Sequence, residues 1–182
     1  MENSEERILL GKLKAFDTAA LETVYDRYSP GLYAYACRLL GDPASAEDCV
    51  SETFSRLLKA LRFGQGPRDH LQAYLYRIAH NWITDLFRRG APAEIAMEEE
   101  TVSLPDTVGE QAEWNIQRRQ IHAAMRRLTA EQRQAVVLRY LEGWDNEEVA
   151  RAMDRPVGAV KALQQRGISA LRRMLAGEED VS

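Results

Sequence analysis

Residues 145–173, DNEEVARAMDRPVGAVKALQQRGISALRR, read as two helices joined by a very short turn. Asp145 can cap the first helix, and Glu148, three residues on, completes a capping box. Val149, Ala150 and Met153 make one apolar stripe and Val160, Leu163 and Leu171 another, with only Asp154, Arg155 and Pro156 between the two helices. A turn that short makes the helices cross steeply, and Ala150 is small enough to let them approach. Asp154 tolerates the left-handed backbone the turn needs, while Pro156 presets φ for the first turn of the next helix. This is the pattern of a helix-turn-helix, whose second helix offers its outer face to a DNA major groove. Here that face carries Lys161, Ala162, Gln165 and Arg166, with Gln164 beside it. These are donors and small residues rather than carboxylates, which a plain helical hairpin with a solvated face does not require.

The chain has 182 residues, 45% of them apolar, enough for one large or two small domains, and two are expected. Its net charge of −4 argues superficially against a nucleic-acid partner, but the charge is unevenly spread. Residues 118–176 hold twelve basic and six acidic side chains, a balance of +6. Residues 91–117 hold seven carboxylates and no Lys or Arg. A basic module therefore follows an acidic one. Cys37 and Cys49 stand twelve apart without a CxxC or a histidine at ligand spacing, as buried thiols of a reducing cytosol would. No apolar run approaches a membrane span, and the acidic start MENSEER is unlike a signal peptide. A soluble, cytoplasmic protein is expected.

Apolar residues recur at spacings of three and four almost throughout, and strand and hairpin signals are nearly absent, so the expected fold is all-α. Ile8, Leu9, Leu13 and Phe16 outline a first helix, and Ala20, Leu21, Val24, Tyr25 and Tyr28 a second. Ser29 and Pro30 are expected to stop the second and open a third, which carries Leu32, Tyr33, Ala36, Leu39 and Leu40 and ends at Gly41. Asp42 and Pro43 open a helix over 43–61 with the stripe Ala46, Val50, Phe54, Leu57, Leu58 and Leu61. FGQGPRDH, 63–70, reads as a loop, and a helix over 71–89 follows with Leu75, Ile78, Ala79, Trp82 and Leu86 inward. Gly90 ends it. Its other face carries Tyr74, Arg77, Asn81 and His80, the mixture of aromatic, cation and amide that stacking on unpaired bases uses.

Residues 91–109 lack a sustained period and read as an acidic linker between a helical domain over 1–90 and a helix-turn-helix domain over 110–182. In the second domain a helix spans 110–127. Thr129 with Gln132 forms another capping box, opening a helix over 130–141 with Val136, Val137 and Tyr140 inward and Gly143 at its end. Residues 177–182 read as a frayed tail.

Three stretches, in this order, resemble the extracytoplasmic-function sigma factors of bacterial RNA polymerase. AEDCVSETFSRLLKAL (46–61) is similar to the family's polymerase-binding helix and AYLYRIAHNWITDLFRR (73–89) to its promoter-melting helix. LTAEQRQAVVLRYLEGWDNEEVARAMDRPVGAVKALQQR (128–166) is similar to its C-terminal domain. The resemblance implies a dissociable initiation factor that performs no chemistry and takes no cofactor. It implies that Asp48, Glu52 and Phe54 dock on the clamp helices of the largest polymerase subunit, with the flap as a further contact. It implies that Phe63 and the loop after it, with Tyr74, Arg77 and Asn81, handle the melted −10 element. Arg139, Lys161, Gln164, Gln165 and Arg166 would serve the −35 duplex. An anti-sigma factor belongs to the family's partner classes. Ser51 before Glu52, Tyr74, and Ala162 with Leu163 depart from the commoner residues, and the last three bear on promoter sequence.

Two other readings compete. An autonomous regulator would bind its operator as a dimer without polymerase and would need a dimerisation surface. A di-metal carboxylate enzyme needs Glu-x-x-His pairs, and none of His70, His80 and His122 has a glutamate three residues before it.

Overall fold

A computed structural model of the chain describes residues 2–90 and 108–177. The acidic stretch over 91–107 and the tail over 178–182 lie outside the described residues. In chain order come α1 (Glu2–Lys14), α2 (Thr18–Leu40), α3 (Pro43–Arg62), α4 (Leu71–Arg88) and α5 (Val108–Arg127). They are followed by α6 (Ala130–Val136), a π-helical turn (Val137–Leu141), α7 (Asn146–Met153) and α8 (Val157–Leu175). The fold is all-α, in two helical domains, and no strand occurs among the described residues.

The helix ends follow local chemistry. Asp17 accepts from the Ala20 amide at 2.8 Å to cap α2, which ends at Gly41 with φ 73°. Asp42 accepts from the Ser45 amide at 2.9 Å, and Pro43 takes the first helical position of α3, where its missing N–H has no role. His70 does not cap α4. Glu6 of α1 does so instead, accepting from the Leu71 amide at 2.8 Å across 65 residues. This side chain therefore ties the first helix to the fourth.

Pro30 does not break its helix: α2 runs unbroken from Thr18 to Leu40 with the proline inside. An interior proline removes one backbone hydrogen bond and crowds the preceding turn, at a cost of about 3 kcal/mol. Both halves of α2 are held by burial, with Val24 on one side of Pro30 and Leu32, Tyr35, Ala36 and Leu39 on the other. Fully burying each of several such side chains contributes about 1.5 to 3 kcal/mol, so packing outweighs the local penalty.

Single apolar stripes describe these helices only partly. Leu10, Tyr35, Cys49, Thr53, Tyr76, His80 and Ile83 are buried, whereas Ile8, Tyr25, Tyr33 and Leu58 are exposed. A helix with neighbours on two sides buries more than one stripe, and its polar groups turn inward where a partner exists. Phe16 lies beyond α1, at φ 55°, and is exposed. Cys49 is buried, with its thiol pushed up by burial to about 12, while Cys37 is only half-buried, and both are free.

In the second domain Val136, Val137 and Leu138 are buried, but Tyr140 is 57% exposed. The widened π turn over Val137–Leu141 rotates the residues after it relative to an α-helical register, which carries Tyr140 outward. The helix-turn-helix itself is as its residues dictate. Asp145 accepts from the Glu147 and Glu148 amides, Glu148 closes the capping box, and Asp154 sits at φ 53°, ψ 48°. Pro156, at ψ 146°, serves as the N-cap of α8, so the helix begins one residue later than the proline. The small residue buried in α7 is Ala152 rather than Ala150. A close approach falls at Gly167, where a Cβ would stand 2.8 Å from Val136 Cγ2.

The buried side chains of both domains form one continuous cluster. Tyr76 of α4 meets Trp144, from the loop before α7, with ring centroids 4.7 Å apart. Arg38 of α2 pairs with Glu142. Phe87 of α4 lies under the Arg133 guanidinium at 4.5 Å. Each of these contacts joins residues from opposite sides of the 91–107 stretch.

Candidate nucleic-acid interface

Helix α8 owes its orientation to an inner face of Val160, Leu163, Gln164 and Gly167, which is the i, i+3, i+4, i+7 stripe of a packed helix. Burying that stripe leaves Lys161, Gln165 and Arg166 exposed on the opposite side, with Ala162 partly so. Lys161 and Gln165 stand four apart and share a face. Gln164 is a correction to the sequence reading. It is 5% exposed, and its Nε2 donates to Asn146 Oδ1 at 3.0 Å, so it fastens α8 to the start of α7 instead of facing outward.

Arg139 is half-buried, and its guanidinium donates to the Trp144 carbonyl at 2.7 Å, holding the loop between the π turn and α7. Arg155 pairs with Glu131 on the surface, a contact of small energetic weight.

On α4, Asn81 is exposed, and Tyr74 and Arg77 are partly so. Arg77 is not free: its Nε donates to the Ala152 carbonyl at 3.1 Å and its Nη2 to that of Arg151 at 2.6 Å. Those carbonyls belong to the last turn of α7, where the helical ladder runs out; the Arg151 carbonyl also accepts from the Asp154 amide at 3.4 Å. His80 is buried, and its Nδ1 lies 2.9 Å from Tyr35 Oη, with Thr84 Oγ1 at 3.3 Å from Nε2. Burial, reinforced by the nearby Arg133 charge, pushes its pKa down to about 3, so the imidazole is neutral. Phe63, at the end of α3, is 65% exposed at the start of the 63–70 loop.

The remaining predicted positions lie on α3. Asp48 is exposed, and Glu52 is half-buried and paired with Arg56 at 2.7 Å. Phe54 meets Tyr25 of α2 with centroids 4.8 Å apart. Phe54 and Tyr25, with Leu21, Val24, Leu57 and Leu58, line a largely apolar groove of about 490 Å³, rimmed by Glu22 and Asp26. The structure therefore gathers α2 and α3 around one groove, whereas Tyr74, Arg77 and Asn81 lie on α4, Phe63 closes α3, and Lys161, Gln165 and Arg166 lie on α8.

Sequence periodicity missed Trp144 and Arg133. Trp144 sits in a loop, outside any stripe. Arg133 is 4% exposed and donates to the Met125 carbonyl at 3.3 Å, while its Nε finds no hydrogen-bond partner among the described residues. A single arginine at a helix start gives no sign of such burial.

Residues 24–92 match the family model for Sigma-70 region 2, and residues 118–171 match that for Sigma-70, region 4. The RNA polymerase sigma-E factor of Streptomyces antibioticus is 31% identical over 138 residues, which cover 75% of this chain and 74% of that protein. The chain belongs to the extracytoplasmic-function sigma factors. The extracytoplasmic-function RNA polymerase sigma factor BldN of Streptomyces coelicolor is 34% identical over 175 residues, 92% of this chain. The match spans 64% of the length of BldN. The fold matches that of CnrH, solved in complex with the cytosolic domain of CnrY, with a TM-score of 0.68 and 21% identity over 96% of this chain and 99% of that one. This sigma factor is a transcription initiation factor and not an enzyme. Among its described residues no helix is long and apolar enough to cross a membrane.

Proposed function

We propose that this sigma factor acts in the cytoplasm, where it binds core RNA polymerase, positions it on a promoter and holds the melted strand, its two domains spanning 1–90 and 110–182 with 91–109 as the tether. The observation that carries this reading is the chemical difference between two surfaces of one chain. Helix α8 exposes Lys161, Gln165 and Arg166 from a rigidly packed base, which suits reading a duplex through major-groove edges. Helix α4 carries Tyr74, Arg77 and Asn81, and the loop leading into it starts at the exposed Phe63, a set of groups that suits bases withdrawn from the stack. The first set takes the −35 element and the second the −10 element. Arg139 and Gln164 act on the −35 side by fixing the loop and helix around the reading face.

Polymerase docking falls to Asp48, Glu52 and Phe54 on α3, beside the apolar groove with its acidic rim. Clamp helices with basic and apolar residues complement such a surface, and the flap is the contact for the second domain. An anti-sigma factor is the class of inhibitor that the family resemblance implies. The test is reconstitution with core enzyme on a library of duplex promoters. Transcription that depends on this chain and selects paired −10 and −35 motifs supports the reading, and operator binding by the chain alone with no effect on core enzyme overturns it.

A further inference from the structure

The 63–70 loop is held at both ends, and its far end is held by a residue from another part of the chain. At its start the Gln65 amide donates to the Ala60 carbonyl at 2.8 Å, and a Cβ on Gly66 would stand 2.7 Å from Leu61 Cδ2, so the loop folds back against the last turn of α3. Pro67 is buried, while Phe63, Gln65, Arg68, Asp69 and His70 are exposed. At the end of the loop no neighbouring residue does the equivalent. His70 stands at φ 48°, ψ 53°, a backbone that a residue with a side chain seldom holds, and it gives α4 no side-chain cap. The first amides of a helix need acceptors from outside it. Here the Leu71 amide donates to Glu6 Oε1 at 2.8 Å, and a carboxylate also suits the positive end of the helix.

We propose that Glu6 is a positioning residue for strand capture: by fixing the Leu71 amide, and with it the left-handed turn at His70, it sets the shape in which the 63–70 loop meets unpaired bases. The inference rests on the proposed role of that loop and α4 at the −10 element. Glu6 acts on the loop without carrying the fold. Helix α1 is seated by Leu10 and Leu13, 2% and 0% exposed, and α4 by Leu71, Leu75, Ala79 and Ile83, all at 0%. Loss of the carboxylate therefore leaves both helices packed and frees only the turn between Pro67 and Leu71. A freed turn samples several backbone states. Bases are taken up from the one state whose exposed groups are in place, so the apparent affinity falls with the fraction of chains in that state. Nothing adjacent in sequence announces the role, because Glu6 and Leu71 are 65 residues apart.

The test uses the full chain with three substitutions at Glu6. Glu6→Gln keeps an acceptor at the same reach, Glu6→Asp keeps the charge on a side chain one methylene shorter, and Glu6→Ala keeps neither. Hydrogen exchange of the free protein reads the hold on the Leu71 amide, and open-complex formation with core polymerase on a duplex promoter reads strand capture. Circular dichroism and thermal melting follow the fold. In Glu6→Ala and Glu6→Asp the Leu71 amide is expected to exchange roughly tenfold faster, with the central amides of α4 unchanged. Promoter opening should fall roughly five- to tenfold in both while binding to core enzyme is kept, and Glu6→Gln should stay within about twofold of wild type. Phe63→Ala, which removes an exposed ring of the loop itself, is the reference. A defect in Phe63→Ala with normal opening in Glu6→Ala overturns the positioning role, as does an equal loss in Glu6→Gln and Glu6→Ala. Loss of helix content in both Glu6→Ala and Glu6→Asp makes Glu6 a residue of the fold and overturns it too. Normal opening in Phe63→Ala and Glu6→Ala alike, with the Leu71 amide released, overturns the proposal through the reading of the loop on which it rests.

Discussion

Tyr76 and Trp144 meet at 4.7 Å between ring centroids and 57° between planes, and this tilted pair couples the helix proposed to hold the melted strand to the module proposed to read the duplex. Trp144 is 8% exposed, so its removal leaves a large void between the domains. Trp144→Ala is expected to lower stability by about 3 kcal/mol. Because the ring bridges two bodies, the loss should also weaken their cooperativity. Chemical denaturation followed by far-ultraviolet circular dichroism should resolve two transitions where the wild type shows one. A single transition with an unchanged midpoint would mean that the pair contributes nothing to coupling.

His80 gives the junction a pH dependence. It faces the Tyr35 hydroxyl from α2 and the Arg133 charge from α6, with Thr84 on its own helix. Its folded pKa, near 3, lies below the ordinary value of about 6.5, so the unfolded chain binds a proton that the folded chain refuses. The stability from a neutral His80 is therefore fully present above about pH 6.5 and is lost as the pH falls toward 3. At pH 5 the loss amounts to about 2 kcal/mol. His80→Gln should flatten this part of the stability profile, measured by urea titration at pH 7 and pH 5. An equal drop in both proteins would assign the acid sensitivity to other groups.

On α3, Glu52 is paired, among the described residues, with Arg56 on the same helix, and both side chains are 40% exposed. Such a pair contributes at most about 0.5 kcal/mol. Glu52→Lys should accordingly melt close to wild type while losing co-purification with core polymerase. Undiminished co-purification would remove Glu52 from the docking surface.

Asn81 is exposed one turn after Arg77. Asn81→Ala is expected to slow open-complex formation on duplex promoters far more than on premelted ones. Strand-opening footprints on the two templates compare them directly, and an equal deficit on both would place its action elsewhere.

How much of this was legible in the sequence depends on how local each cause is. The capping boxes at Thr129 and Asp145, the left-handed Asp154 and the Asp42-Pro43 start are written in adjacent residues, and the structure has each of them. Pro30 misled because its local penalty is opposed by packing that only the assembled bundle supplies. Tyr140 misled because the period changes from α to π within one helix, and no residue marks the change. Gln164 and His80 misled because polar side chains were assigned outward, whereas Asn146 and Tyr35 give them partners inside. Trp144 and Arg133 could not be placed at all, since their environment is made by a domain on the far side of the 91–107 stretch. Composition suggests the proposed module boundaries, but it carries no sign of the contacts that Trp144 and Arg133 make across the 91–107 stretch.

The two glutamines of α8 separate reading from support. Gln165 is exposed beside Lys161, whereas Gln164 is buried and bonded to Asn146. If Gln165 meets a base edge, Gln165→Ala should cost about 1 to 3 kcal/mol in binding and relax preference at one or two adjacent −35 positions. Lys161→Ala should weaken all promoters alike and reduce the salt slope by about 1 when the contact is to phosphate. Gln164→Ala should instead lower thermal stability by about 1 kcal/mol, leaving the Asn146 side chain short of a partner, with the selected −35 sequence unchanged. Leu163→Ala, from the packed face, should destabilise by about 2 kcal/mol or more, again without a change of preference. Promoter-library selection with polymerase and thermal melting of the four variants read the two effects separately. A shift of −35 preference in Gln164→Ala, with none in Gln165→Ala, would require that α8 rotate by about one residue when it enters DNA, because helical neighbours differ by roughly 100° around the axis.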